Sequence, residues 1–393
     1  MNRVSKVGSC LERSSIRVLL EKQNKIAEKS DDIISFTIGE PDFQTPPNIV
    51  EAAVKALREG KTKYAPNAGI PELRQAIAED LKKTHGVDYD PNTEIVITPS
   101  GMDTLRLAAQ AVMDDEEEMI VNDPCWSNHP NHSKMAHGKP VFVPLREENN
   151  FAYAVADLEA AVTDKTKAVL LNYPNNPTGA VISYENLLEF CEFCKKHNLI
   201  VISDEVYYNI IFDGLKFYSP AMIKGMKERV IISQSFSKTY AMTGWRLAYA
   251  AGPADLIEAI GRLNENSISC VNTVVQWAGV EALTGTRKYI DAMVEEFQKR
   301  RDIVYEGINQ IPGLSCVKPR GAFYAFVNIK GTGLKSEEFA HQLLEKKHVG
   351  TVPGTGFGVS GEGFIRLSYA TSTENIREGI RRIKEFVEEL NKK

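Results

Sequence analysis

Long apolar runs are missing from this sequence, as are blocks of like charge and any regular spacing of cysteines. No apolar segment approaches the roughly 18 residues that a membrane-spanning helix needs. The first stretch, MNRVSKVGSCLERSS, has no apolar core of the kind a secretory signal carries. Acidic and basic residues are interspersed and sum to a formal charge of −5. That balance excludes the basic stripe of a nucleic-acid binder and the polybasic patch of a membrane-surface protein. Six cysteines in 393 residues do not make a disulfide framework. Cys191 and Cys194 form a lone CxxC inside YENLLEFCEFCKKHN. With no second pair, no zinc site is expected; the helical periodicity there has the two thiols packing with Leu188 and Phe193. Cys125 adjoins Trp126 but has no lysine or histidine next to it to mark a nucleophile. The expectation is a cytoplasmic protein with no membrane, nucleic acid or metal among its partners.

The composition is that of a globular protein, 43% hydrophobic and 25% charged, and the length suggests two domains. Apolar strand-like runs alternate with helical stretches. They are EIVIT (94–98), EMIV (118–121), PVFVPL (140–145), KAVLLN (167–172), LIVIS (199–203), VIIS (230–233) and RLAYAAG (246–252). Most are continuous rather than alternating, as in strands covered on both faces. The pattern predicts an α/β fold, with a large domain over 46–285 built on a mainly parallel seven-stranded sheet. Past residue 285 a long helical stretch (287–310) precedes the shorter strands GAFYAFVNI, HVGTVPG and FIRLSYA, and then the amphipathic TENIREGIRRIKEFVEEL. Residues 286–393, joined by 1–45, form a smaller α+β domain.

In an open parallel sheet, ligands bind beyond the carboxyl ends of the strands, and polar residues gather at those ends here. EIVIT runs into Ser100-Gly101-Met102, EMIV into the segment ending at Cys125-Trp126, and KAVLL into AsnTyrProAsnAsnProThrGly (172–179). LIVIS runs into Asp204-Glu205-Val206-Tyr207, and VIIS into SFSK, Ser235 to Lys238. Each has a plain reading. Ser100 is equally a helix N-cap, NNPTG a tight turn and Lys238 a solvated lysine. Against these stand a free helix N-terminus suited to an anion, a buried carboxylate in need of a cationic partner, and a lysine desolvated among hydroxyls. The pKa of such a lysine falls, so that it is able to form a Schiff base. An anion-binding turn, an aspartate, a phenol and such a lysine on one rim answer the needs of pyridoxal 5′-phosphate.

The sequence resembles the class I aminotransferases, pyridoxal-phosphate enzymes of fold type I, most closely their aspartate aminotransferase-like members. GEPDF (39–43), KYAPNAGIPELRQAI (63–77), NNPTG (175–179), SDEVYY (203–208), SFSKTYAMTGWRLAY (235–249) and RLSYATS (366–372) occur in family order and spacing over nearly the whole chain. The resemblance implies that Lys238 binds the cofactor covalently and then carries the proton. Asp204 pairs with the pyridine nitrogen, Asn176 and Tyr207 with the phenolic oxygen, and Trp126 stacks on the ring. Gly101, Met102, Ser235 and Arg246 take the phosphate, with Ser237 beside them. Arg366 receives the substrate α-carboxylate, and Gly39, with Trp126 and Asn176, completes the substrate site. Tyr64 reaches the phosphate of the neighbouring subunit, which implies a homodimer with shared active sites. The activity implied is a ping-pong transfer of an amino group between an L-amino acid and a 2-oxo acid.

For the donor, WSNH (126–129) resembles aspartate aminotransferases, where the histidine supports the ring-binding aspartate. The second cation that family members use for a side-chain carboxylate is not evident, either at Met102 or in LNENSISCVNT (263–273). An aromatic or neutral donor is therefore equally open. GFGVSG (356–361) matches a dinucleotide fingerprint literally, but a strand follows it where a helix is required; a lid near the substrate mouth is the expected use. Two other functions occur on this fold: carbon–sulfur β-lyase, and a non-catalytic sensor attached to a DNA-binding module.

Overall fold

Thirteen short strands and the helices between them make up the computed structural model, which describes residues 3–11 and 32–392. In chain order the strands are β1 (Ile34–Ser35), β2 (Ile95–Thr98), β3 (Glu118–Asp123), β4 (Lys139–Pro144), β5 (Thr166–Asn172), β6 (Ile200–Asp204), β7 (Val230–Ser235), β8 (Ala248–Ala251), β9 (Ser315–Cys316), β10 (Tyr324–Asn328), β11 (Val349–Gly350), β12 (Val352–Pro353) and β13 (Phe364–Ser368).

The expected seven-stranded sheet is present in the order β2-β8-β7-β6-β5-β3-β4. All its pairings are parallel except those of β8, which runs antiparallel to both β2 and β7. Its runs of Val, Ile and Leu are apolar on both faces because both faces are covered. Val230 and Ile232 feed one core and Ile231 the other, as successive side chains on a strand must. Helix Pro71–His85 packs beside β2, with Gly86 closing it in the left-handed conformation. Helix Gly101–Val112 lies against β6, β7 and β8. Cys191 and Cys194 are buried with Phe193 in one of these cores, as expected.

A second sheet, β12-β13-β10-β9, is antiparallel, and β1 pairs in parallel with β11. Most of these strands share a core with helices Lys288–Asn309, Ser336–Lys347 and Thr373–Leu390, while Val352 of β12, Phe326 of β10 and Phe364 of β13 pack into the core of the large sheet. No helix among the described residues is long and apolar enough to cross a membrane.

Two expected strands need correction. RLAYAAG does not begin at Arg246, whose φ of +58° takes it out of extended geometry; the strand starts at Ala248. HVGTVPG is not one strand but two. The chain leaves β1 after Gly350 and joins β13 at Val352, so one apolar run serves two sheets.

Candidate active site

The carboxyl ends of β5, β6 and β7 open on a cavity of about 340 Å³. The N-terminus of helix Gly101–Val112, segment 37–39 and strands β10 and β13 complete its wall. Every site residue nominated from the sequence lines this cavity, with the single exception of Tyr64. Tyr64 is 89% exposed, beside Lys61 and Val274 on the outer surface, and so contributes nothing to the cavity of its own chain.

Lys238 follows β7 in the short helix Phe236–Thr239, which Ser235 caps through Ser237 N–H. Its Nζ donates to the Gly39 carbonyl at 2.5 Å. Burial lowers its pKa to about 8, Glu40 opposes the shift, and Arg366 and Arg246 add to it. The position of Gly39 admits no side chain, since a Cβ there would stand 2.7 Å from the Tyr324 hydroxyl. The Ser235 and Ser237 hydroxyls are 2.9 Å apart. Arg246 is fixed by Nη1 donating to the Thr243 carbonyl at 2.7 Å. With the leading N–H groups of Gly101 and Met102, these residues form a cradle suited to a phosphate. Ser100, as its plain reading had it, caps that helix by accepting Asp103 N–H.

Consecutive residues at the end of β6 point to opposite sides. Asp204 faces the cavity, with His129 Nε2 3.0 Å from its Oδ2. Glu205 turns away into a buried cluster with His85, Ser203 and Ser219. Asp204 is buried and has no Lys or Arg partner among the described residues, which suits it to pair with a cationic ring nitrogen. Trp126 stands edge-on to His129, with ring centroids 5.4 Å apart. Asn172, at the end of β5, ties this corner together: its amide donates to the Asp204 carbonyl and its Oδ1 accepts Asn176 N–H.

Arg366 lies on β13 and is 2% exposed. Nη1 donates to Asn176 Oδ1 at 3.1 Å and Nη2 to the Thr37 carbonyl at 2.7 Å. Its guanidinium sits over the rings of Tyr324 and Phe357, at 4.5 and 4.9 Å. Nε is buried without a partner, and no carboxylate neutralises the charge among the described residues. Burial draws its pKa below the usual arginine range, with the Tyr324 and Tyr207 phenols opposing. A buried cation held only by neutral groups is a receptor for an anion.

Tyr324, whose hydroxyl is 2.8 Å from that of Tyr207, went unnoticed in the sequence because it sits in a strand of core-like residues, GAFYAFVNI. Thr37, Ile38, Leu105, Val206 and Thr243 also line the cavity without motif-like signals. Cys125 is buried, and burial pushes its thiol pKa up, away from the reactive thiolate form. Desolvated amine, phosphate cradle, buried acid and phenol together complement the aldehyde, phosphate, ring nitrogen and phenolic oxygen of pyridoxal phosphate. The guanidinium of Arg366 is left without an acidic partner among the described residues.

The family profile of aminotransferase class I and II matches residues 31–383. The chain is 43% identical to an aspartate aminotransferase of Pyrococcus horikoshii over 380 residues, 96% of this chain and 95% of that protein. It is 43% identical over 378 residues to aromatic-amino-acid aminotransferase 2 of Thermococcus litoralis, covering 96% of each. The crystal structure of the aspartate aminotransferase from Rhizobium meliloti superposes with a TM-score of 0.95 at 35% identity, covering 98% of this chain and 99% of that one. With its α/β sheet and the cavity at the strand ends, the chain belongs to the class I and II aminotransferases and is a pyridoxal-phosphate-dependent aminotransferase.

Proposed function

We propose that the cavity binds pyridoxal phosphate and the α-carboxylate of an L-amino acid together, and that Lys238 moves the proton in amino transfer. The observation that carries this is the pairing of two cations around one cavity, the half-buried Lys238 and the buried Arg366, neither in an ion pair with a carboxylate among the described residues. When bound, the cofactor supplies an electron sink for the substrate α-carbon. Gly101, Met102, Ser235, Ser237 and Arg246 hold its phosphate, and Trp126 packs on its ring. Asp204, oriented by His129, keeps the ring nitrogen protonated. Asn176 and Tyr207 donate to the phenolic oxygen, and Tyr207 is in turn fixed by Tyr324. Arg366 receives the α-carboxylate on its fork and so fixes which substrate bond faces Lys238. Lys238 Nζ would be the group that takes and returns the substrate α-proton, a task for which an amine with its pKa lowered to about 8 is suited. Gly39 leaves room for the substrate backbone.

The donor side chain meets Ile38, Met102 and Leu105, and the cavity wall has no cation beyond Lys238, Arg246 and Arg366. That favours an aromatic or other apolar amino acid. A second reading, aspartate, draws on the relatives named aspartate aminotransferases. Half-reactions of the holoenzyme with each common amino acid, followed by the absorbance change of the cofactor, separate the two. Efficient conversion by tyrosine or phenylalanine with slow aspartate supports the first; the reverse order rejects it. No spectral conversion with any amino acid rejects amino transfer at this cavity.

The same reading divides the chain into a large cofactor-binding domain (46–285) and a small one (1–45 with 286–393). The pairing of β1 with β11, which joins residues 34–35 to the C-terminal part, supports it, as does the core that helices Lys288–Asn309, Ser336–Lys347 and Thr373–Leu390 share with β1, β9, β10, β11 and β13. Residues 12–31 of that arm lie outside those described. We place the protein in the cytoplasm, where free buried thiols such as Cys191 and Cys194 persist. The active unit is a homodimer in which Tyr64 serves the partner's phosphate, a role in keeping with its exposure. Subunit exchange between inactive Lys238→Ala and Tyr64→Glu proteins should recover about a quarter of wild-type activity. No recovery in demonstrated heterodimers rejects that role.

A further inference from the structure

GFGVSG (356–361) supplies no wall of the cavity, yet it touches two segments that do. Phe357 is buried, and its ring supports the Arg366 guanidinium at 4.9 Å. The Phe357 carbonyl accepts Cys125 N–H at 2.8 Å. Three residues on, Ser360 N–H is shared between the two carboxylate oxygens of Asp123, at 3.2 and 3.1 Å. Asp123 ends β3, three residues before Trp126. Between these anchors Gly358 has φ +131°, and a Cβ there would fall 2.0 Å from Asp123 Oδ1. Glycine is therefore required twice over, by backbone conformation and by the approach of the acid.

The far end of the loop is fixed independently. Ser336 Oγ accepts Gly363 N–H at 2.8 Å and Phe364 N–H at 3.2 Å as the chain enters β13. The loop is thus a strap pinned by Asp123 at Ser360 and by Ser336 at Gly363 and Phe364, with Phe357 just before the first pin and Arg366 just after the second. Asp123 is buried and pairs with no lysine or arginine among the described residues. Burial raises its pKa, and the Ser360 N–H opposes the rise. A desolvated acid without a cation is costly, so a neutral polar or apolar residue would be the cheaper choice if packing were its only purpose.

We propose that Asp123 is a positioning residue: by gripping the glycine-rich loop at Ser360 it holds Phe357 beneath Arg366 and so sets the direction of the guanidinium fork that receives the substrate α-carboxylate. This rests on the carboxylate-binding reading of Arg366. The acid neither touches substrate nor moves a proton. It joins the segment that carries Trp126 to the strand that carries Arg366.

The test is a titration of the holoenzyme with L-tyrosine and L-aspartate, which share the α-carboxylate, reading amino-acid Kd from the cofactor spectrum alongside cofactor retention and Tm. Asp123→Ala should raise Kd about tenfold with cofactor retention unchanged, by loss of one charge-assisted hydrogen bond. Asp123→Asn keeps an oxygen for Ser360 N–H and should stay within about threefold of wild type. Gly358→Ala leaves the acid in place but pushes the loop away, and should raise Kd as Asp123→Ala does; it serves as the second variant if Asp123→Ala fails to fold. Asp123→Ala should add little in an Arg366→Lys background, because both act on one contact. A fall in Tm with unchanged Kd, or full additivity with Arg366→Lys, overturns the positioning role alone. Unchanged Kd in Arg366→Lys overturns the carboxylate reading and the proposal with it.

Discussion

Arg301 and Arg366 are the most deeply buried arginines among the described residues, and they are buried differently. Arg301, on helix Lys288–Asn309, is met by Asp213 at 2.7 Å and Asp302 at 2.7 Å, with the Pro319 carbonyl and the Phe212 ring closing the site. Arg366 has an amide oxygen, a carbonyl and two aromatic rings, but no acid. Both sites satisfy most of the guanidinium's hydrogen-bonding groups; only the first satisfies its charge. On the function proposed above, the difference separates a charge that holds the fold from one that receives a ligand. Burial alone does not make that distinction; the identity of the acceptors does.

The most severe way to probe the contrast is to remove the third cation of the set. Lys238, like Arg366, is held by a carbonyl and not by an acid. Lys238→Ala should abolish amino transfer while the protein stays folded, since a strand-end lysine contributes little packing. Single-turnover conversion of amino acid near the wild-type rate would refute its role. Next in size is Arg301→Ala, which leaves Asp213 and Asp302 with only the longer pairings to Lys318 and, for Asp213, Arg320. It should cost about 3 kcal/mol of stability, the low end for a broken buried pair because both acids reach solvent, with activity per folded molecule unchanged. Urea unfolding measures the first and active-site titration the second; a stable, inactive variant would erase the distinction drawn here. Arg366→Lys should do the opposite. Unfolding should be little affected, and amino-acid affinity should fall at least about tenfold, because lysine keeps the charge and loses the fork.

The smallest effect is one of pH. Burial lowers the Lys238 pKa to about 8. A lowered pKa leaves the amine protonated below that value and neutral above it, and only the neutral amine attacks an aldehyde. Capture of pyridoxal phosphate by the apoenzyme should therefore speed up as pH rises towards 8 and level off beyond it. Stopped-flow absorbance would show this, and a midpoint near the ordinary lysine value would mean that the amine is solvated.

The parts of this site legible in the sequence are those where local chemistry conflicts with local environment. Asp204 at the end of an apolar strand, Lys238 among hydroxyls, and the polar turns after β2 and β5 all stand out against their neighbours. Tyr324 does not, because an aromatic residue in a core strand is the ordinary case; its role comes from Tyr207, 117 residues away in sequence. Thr37 likewise contributes only a carbonyl to Arg366, which any residue would supply. The sheet was readable from its continuous apolar runs. The division of HVGTVPG between two sheets was not, since it depends on β1, whose two residues carry no strand signal of their own. The role of Asp123 has no local signal, because its partner is a backbone N–H of a distant loop.

One inverted strand has a geometric consequence. Because β8 runs against β7, it begins where β7 ends, with Ala248 opposite Ser235. The intervening residues 236–247 therefore leave and return to the same edge, and Lys238 near one end faces the same hollow as Arg246 near the other. A parallel strand would have started at the far edge of the sheet. The segment thus acts as a calliper whose jaws are an amine and a guanidinium, and its opening is fixed by the number of residues between them. Lengthening it by one residue would leave the sheet intact and change the size of molecule that it spans.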